Sequence, residues 1–445
     1  MNLILNTDSY KLAHWNQYPP KTQQIYSYLS ARYGRYKYSV FFGLQYIIKK
    51  HLSKPISQKD IDEAYRVSKD HFGCKDVFNL KGWQYILDHY DGYLPIAIYA
   101  YPEGSIIPIG TPLMAIENTD PKCFWLTNYI ESLLLQIWYP ITIATMSHVI
   151  KQDIEKSIAE TGEGNADFKL HNFGLRGSSS LESAAIGGAA HLTSFLGSDD
   201  LPAIQFINEY YHTESMPCFS IPATEHSTMT SWGKENEAKA YLNMLNNYKN
   251  SDSIKAFSVV SDSYDIENAC ENIWGDLLKE DVENSKATLV IRPDSGDPVD
   301  SILSLLSILS ERFGCVKNEK GYNVLNKVRL IQGDGIDEIR ITEILNSMKQ
   351  EKWSTDNITF GMGGGLMQQI DRDTQGFAIK CSWAMIDGEP RDVFKKPSTD
   401  LLKASKVGRF DNLPMVYYNG ALFRDINFDT IRTRIRIQTE GILEN

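Results

Sequence analysis

Through the middle of the chain, apolar runs of about five residues alternate with stretches whose apolar positions recur at helical spacing. "FSVVSDS" (Phe257–Ser263) precedes "YDIENACENIWGDLLKE", "VRLIQGDG" (Val328–Gly335) precedes "IDEIRITEILNSMKQE", and "ITFGMGGG" (Ile358–Gly365) precedes "LMQQIDR". After "LVIRPDSGDP" (Leu289–Pro298), the residues Val299, Ile302, Leu303, Leu306, Leu309 and Phe313 fall on one helical face. Asp297 followed by Pro298 reads as an N-cap and a first-turn proline. Such alternation predicts a parallel sheet covered by helices. "FKLHNFGLRG" with "SSLESAAIGGAAHLTSF", and "CFSIPATEHS" with "TMTSWG", extend the series to six strand–loop–helix units. Each run ends in polar residues or glycine, which suits an irregular β/α barrel with its site at the C-terminal ends of the strands. A doubly wound open sheet is the alternative.

The flanks follow another pattern. Residues 1–145 combine aromatic-rich helices with "PIAIYAYPEGSIIPIGTPLMAIEN", which alternates and turns at Pro102-Glu103-Gly104 and Ile109-Gly110, as an antiparallel sheet does. Strand character returns after Thr374 in "GFAIKCSWAMI" and "PMVYYNGALFR". The fold class expected is therefore α/β: a barrel over 146–374, and a second α+β domain whose antiparallel sheet is built from segments 1–145 and 375–445. "TGEGNADF" (Thr161–Phe168) reads as a linker-like loop.

Composition narrows the function. With 445 residues there is material for two domains, and a net charge of −11 disfavours a general nucleic-acid or membrane-surface binder. Six cysteines lie far apart with no C-x-x-C pair, the usage of a reduced, cytoplasmic protein. The start "MNLILNTDSYK" lacks a basic n-region, and no uninterrupted apolar run reaches membrane-spanning length.

The strand ends carry the candidate chemistry: Asp262, Arg292, Asp294, Gly333, Asp334 and the run Gly363-Gly364-Gly365. One unlike charge pair on a turn is equally well a salt-bridged loop. Three glycines opening a helix offer backbone N–H groups to an anion. The run fits neither G-x-G-x-x-G nor the P-loop pattern. Carboxylates beside a phosphate cradle suit ribose hydroxyls or Mg²⁺, which is held by one or two carboxylates plus substrate phosphates. Between Val393 and Arg409 stand Lys395, Lys396, Lys403, Lys406 and Arg409 against one acid, Asp400. This is a solvated basic face or, taken as a group, a site for a highly charged anion such as pyrophosphate.

"TDSYK", "FKLHNFGLRG", "PATEHSTMTSWG", "FSVVSDSYD", "IRPDSG", "IQGDG" and "FGMGGGL", in this order from Leu3 to Arg409, closely resemble the nicotinamide phosphoribosyltransferase family. The resemblance implies a homodimeric type II phosphoribosyltransferase of NAD salvage. It would join nicotinamide to phosphoribosyl pyrophosphate (PRPP), with Mg²⁺ as cofactor and ATP as a coupled co-substrate. It further implies that Phe173 stacks on the pyridine ring with Arg176 beside it, and that Tyr10 and Asp8 close the other face from the partner subunit. Asp199 in "LGSDD" would accept from the carboxamide, and Ser258 would line the substrate site. Arg292, Gly333 and Asp334 would hold the ribose, with Asp262 and Asp294 toward the metal. Gly363 and Gly364 would take the 5′-phosphate with Arg372 and Lys380. Arg32, Lys395, Lys403 and Arg409 would serve pyrophosphate or ATP, and His226 would be phosphorylated by ATP. Without the resemblance, Phe173 and Tyr10 read as core, Asp199 as a helix cap and His226 as structural. A shorter "ARYGRYKYS" loop and a shorter C-terminal region depart from the pattern and leave the matched residues intact. A nicotinate phosphoribosyltransferase and a catalytically silent binding protein on the same scaffold are the rival readings.

Overall fold

The computed structural model describes residues 2–399 and 404–443. It divides into two units: Met1–Thr145 with Phe206–Glu214 and Ile370–Asn445, and Met146–Gln205 with Ser215–Gln369. The second unit is built on six parallel strands: β1 (Leu170–Asn172), β2 (Gly197–Ser198), β3 (Ala256–Val260), β4 (Thr288–Arg292), β5 (Val328–Gln332) and β6 (Ile358–Met362). Their order is β2-β1-β6-β5-β4-β3. One segment joins both edges: Phe219 bridges to Gly197 beside β2, and Ala223 bridges to Ser258 in β3. Donation from Ser258 N to Pro222 O (2.8 Å) and from Phe219 N to Leu196 O (2.8 Å) completes the ring. The sheet is a closed, irregular barrel, as the strand–helix alternation predicts. An open doubly wound sheet is excluded.

Helix starts follow local chemistry. The Asp297 carboxylate accepts from the N–H groups of Val299 and Asp300, Pro298 occupies the first turn, and Pro298–Phe313 buries Ile302, Leu305, Leu306, Leu309 and Phe313. Val299 and Leu303, expected on that face, lie at its half-buried flank. Asp337 caps Glu338–Gln350 in the same way, over buried Ile341, Ile344, Leu345 and Met348.

Several expectations are corrected. "CFSIPATEHS" forms no strand, only the two isolated bridges that close the barrel. "LMQQIDR" begins with a single helical turn, Gly364–Met367. "TGEGNADF" is no linker, because the Asp356 carboxylate accepts from Glu163 N (2.8 Å) and Gly164 N (3.1 Å) within the same unit. The helical run Pro121–Thr161 is long and apolar enough to cross a membrane by length and average composition, although polar residues interrupt it; 72% of its most apolar stretch is buried.

The other unit carries a seven-stranded sheet. The C-terminal strand Phe377–Ile386 pairs antiparallel with Thr22–Ala31, which also pairs with Pro112–Asn118. Met415–Tyr418 pairs with Ile96–Ala100, so both C-terminal segments join the N-terminal sheet. Phe206–Glu214 and residues 370–374, placed with the barrel in the sequence reading, belong to this unit.

Candidate active site

The C-terminal ends of β3 and β4 gather a charged constellation. His226 opens a short helix, His226–Thr230, with Nε2 3.1 Å from Asp262 Oδ1 and Nδ1 3.9 Å from Asp294 Oδ2. Asp262 Oδ2 accepts from Asp294 N (3.1 Å) and from the Ser295 hydroxyl (2.6 Å). Arg292 Nε lies 3.8 Å from Asp294 Oδ1 and is buried without a hydrogen-bond partner. The turn holds a long ion pair with no hydrogen bond at Arg292 Nε. Both oxygens of Asp262 are engaged, whereas those of Asp294 meet their ionic neighbours only beyond hydrogen-bond length. A buried guanidinium N–H without an acceptor is costly unless a ligand supplies one.

Phe173 follows β1 and donates its N–H to Met362 O at the end of β6 (3.0 Å). Its ring lies over Gly361, where a Cβ would come within 2.0 Å of it, and within 3.4 Å of a Cβ placed on Gly333. The same point on Gly333 is 3.6 Å from Asp294 Oδ1, which puts ring, glycine and carboxylate in one neighbourhood. Gly361 is thus required as the seat of Phe173. Beside it, a Cβ on Gly365 would collide with Ile336 O at 2.7 Å, but one on Gly364 would meet nothing within 4 Å. Packing within the protein gives no reason for glycine at 364; room for an outside group does. The exposed Arg176 lies in the turn Leu175–Gly177, and a Cβ on Gly177 would sit 3.7 Å from Gly364 N. Asp334 is exposed, and its carbonyl accepts from Gln332 Nε2 (2.9 Å).

The two aspartates after β2 differ sharply. Asp199 is exposed and accepts from the Ser220 hydroxyl, while its N–H donates to Asn172 O (3.1 Å). Asp200 is 1% exposed and precedes the helix Leu201–Tyr210. Burial pushes its carboxyl up to about 6, against the Ala203 N–H and the Asn172 amide, which favour the charge. The helix-cap reading considered for Asp199 belongs to Asp200. His171 is buried beside Gly197; burial lowers its pKa, and the Asp199 charge opposes the shift.

Ser258, expected to line the substrate site, is 3% exposed, and its backbone closes the barrel. Among the described residues, no group of three or more His, Cys, Asp or Glu side chains is placed to hold a metal by itself. Asp294, with Asp262 behind it, suits a cation that substrate phosphates also ligate.

In the sheet unit, Tyr10 is 60% exposed, with its edge toward His14 (ring centroids 4.8 Å apart). Asp8 accepts from the Ser132 hydroxyl. Burial, and then the cations Arg32, Lys395 and Arg372, push the Lys380 ammonium below its usual range, while Glu131 opposes them. Lys380 thus feels the charge of three other expected phosphate ligands. Arg32 also donates Nε to Gly376 O (2.7 Å). Arg409 has partners within this unit: its guanidinium pairs with Glu117 (2.6 Å) and lies over the rings of Tyr26 (4.5 Å) and Trp383 (5.1 Å). Lys403 lies outside the described residues. Sequence reasoning missed Gly361, Asn172 and Ser220, whose partners come from other strand ends.

The family model described as nicotinate phosphoribosyltransferase (NAPRTase) family matches residues 168–426, and that of the nicotinamide phosphoribosyltransferase N-terminal domain matches residues 2–98. The chain belongs to this family. A Xanthomonas campestris protein named nicotinamide phosphoribosyltransferase is 50% identical over 411 residues, 92% of this chain and 86% of that protein. An Acinetobacter baylyi protein of the same name is 31% identical, over 100% of this chain and 99% of that one. Among solved structures, nicotinate-nucleotide pyrophosphorylase from Pyrococcus furiosus matches with TM-score 0.59 at 15% identity, covering 99% of this chain and 96% of that one. Human nicotinic acid phosphoribosyltransferase matches with TM-score 0.55 at 14% identity, over 98% and 93%. At these identities the two structures show the fold alone.

Proposed function

We propose that the protein is a nicotinamide phosphoribosyltransferase, forming nicotinamide mononucleotide and pyrophosphate from nicotinamide and PRPP in NAD salvage. The observation that carries this reading is the pairing, on adjoining strand ends, of the glycine-seated ring of Phe173 with the exposed carboxylate of Asp199. A ring fixes a pyridine by stacking, and a carboxylate accepts from a carboxamide N–H₂ but repels the carboxylate of nicotinate.

Nicotinamide's ring nitrogen has no proton to lose, so its attack on the anomeric carbon of PRPP needs no general base. Catalysis then rests on orientation and on charge stabilisation as the ribose gains oxocarbenium character and pyrophosphate departs. Phe173 and Arg176 orient the base. Arg292, Gly333 and Asp334 hold the ribose, and Gly363 and Gly364 admit the 5′-phosphate. Asp294, with Asp262 behind it, would hold Mg²⁺ together with substrate phosphates, and the bound ion would supply neutralising charge to the leaving group. Arg32, Arg372, Lys380 and Lys395 serve phosphates. In a homodimer, Tyr10, Asp8, Arg372 and Lys380 complete the partner's site. ATP acts as co-substrate through His226: Asp262 holds Nε2, which leaves Nδ1 to take the γ-phosphoryl group as ADP departs. Six free cysteines suit the cytoplasm.

Selectivity tests the reading. Two like charges about 4 Å apart repel by about 1 kcal/mol in water and about 4 kcal/mol at an effective dielectric near 20. The expected preference for nicotinamide over nicotinate thus lies between about fivefold and about a thousandfold. Asp199→Ser lowers kcat/KM for nicotinamide and raises it for nicotinate. An unchanged ratio removes Asp199 from base recognition.

A further inference from the structure

Asn172, the last residue of β1, is fully buried and makes three bonds that join the parts of the base site. Its carbonyl accepts the Asp199 N–H (3.1 Å), its Oδ1 accepts the Gly174 N–H (2.7 Å), and its Nδ2 donates to Asp200 Oδ2 (3.4 Å). Phe173 lies between the residues so anchored, and Asp199 and Asp200 are consecutive. Asp200 fixes which way the Asn172 amide points: a carboxylate faces its nitrogen, which turns its oxygen toward Gly174. The helix Leu181–His191 leaves space for the pair, since a Cβ on Gly188 would come within 2.6 Å of Asp200 Oδ2 and 3.2 Å of Asn172 Nδ2. Asp200 Oδ1 has no hydrogen-bond partner although buried. A helix N-terminus is capped as well by serine or asparagine. Capping alone therefore does not explain a buried carboxylate with one oxygen unpaired.

We infer that Asn172, oriented by the buried carboxylate of Asp200, is a positioning residue that holds the Phe173 ring and the Asp199 carboxylate at one spacing, and so sets affinity for the pyridine base. This rests on the proposed function for the identity of the base. Neither residue touches the substrate; each acts through Phe173 and Asp199.

The experiment is a double-mutant cycle on the full-length protein. Asn172→Asp sets two carboxylates against each other and turns the orienting bond into repulsion. Asp200→Asn keeps an oxygen that can accept from Asn172. The double swap restores one donor and one acceptor with the roles exchanged, while the carboxylate introduced at position 172 still accepts from the Gly174 N–H. We expect Asn172→Asp to raise KM for nicotinamide about tenfold with KM for PRPP within about twofold, and the swap to return it to within about threefold of the original. Asp200→Ser, which caps the helix but is too short to reach Asn172, raises the same KM and supplies the measurement if Asn172→Asp does not fold. Melting temperatures of the four proteins give the coupling without any substrate. Additive effects in the cycle, or parallel changes in both KM values, overturn the inference. The cycle is repeated with nicotinate: turnover of nicotinate alone ends the nicotinamide reading, and the clamp is then judged on the KM for nicotinate.

Discussion

The two ends of the barrel carry similar charges and use them differently. At the N-terminal end, Lys169 donates to Thr355 O and Ile358 O, both at 2.9 Å, and Arg329 donates to Leu325 O and Val328 O, both at 2.7 Å. Asp356 accepts from two backbone N–H groups, which help hold its carboxyl below the usual range. Burial pushes Lys169 down to about 8, yet its donors meet carbonyls. At the C-terminal end, Arg292 Nε has no acceptor and the Asp294 carboxylate touches its neighbours only at 3.8 and 3.9 Å. Charge matched by backbone builds a fold, whereas charge left unmatched at a strand end awaits a ligand.

The largest expected effect of breaking this contrast is at the mouth. Arg292→Ala lowers kcat/KM by about 10²–10³, the scale of losing one preorganised donor, while the melting temperature hardly moves. Steady-state kinetics with thermal denaturation checks both halves. At the other end, Lys169→Ala removes a donor from Ile358 O and from Thr355 O, which keeps the Ile358 N–H, and costs about 1–3 kcal/mol of stability in urea unfolding, with KM values unchanged. A changed KM there would erase the distinction between the ends. Next comes Phe173→Ala, which raises KM for nicotinamide about tenfold, since stacking a base on an aromatic ring contributes ~1–3 kcal/mol.

The smallest effect concerns pH. Asp200 has a carboxyl raised to about 6, so between the unfolded value near 3.8 and about 6 the folded protein binds more protons than the unfolded one. Stability from this group is therefore present at low pH and lost as pH rises through that window. Asp200→Asn removes the slope, and its stability relative to the unsubstituted protein rises between about pH 4 and pH 6. Urea unfolding at several pH values measures it, and parallel curves would show that Asp200 is ionised throughout.

What the sequence disclosed follows the range of the interactions. Asp297 with Pro298, and Asp337, announce helices because capping is local, and the strand ends Asp262, Arg292 and Asp294 are visible where apolar runs stop. The closing segment reads as a strand from its apolar residues, because isolated bridges have no periodic signature that sets them apart. The roles of Gly361 and Asn172 are not legible in the sequence because they arise only when β1 lies beside β6 and β2. The pairing of Arg409 with Glu117 is not legible in the sequence because 292 residues separate them.

The most direct test of the barrel mouth as the site of synthesis is turnover with PRPP, Mg²⁺ and either nicotinamide or nicotinate, with mononucleotide and pyrophosphate quantified by chromatography. Nicotinamide mononucleotide and pyrophosphate should appear one to one, with nicotinate at least fivefold poorer. Mononucleotide from nicotinate alone, or none from either base, would contradict it.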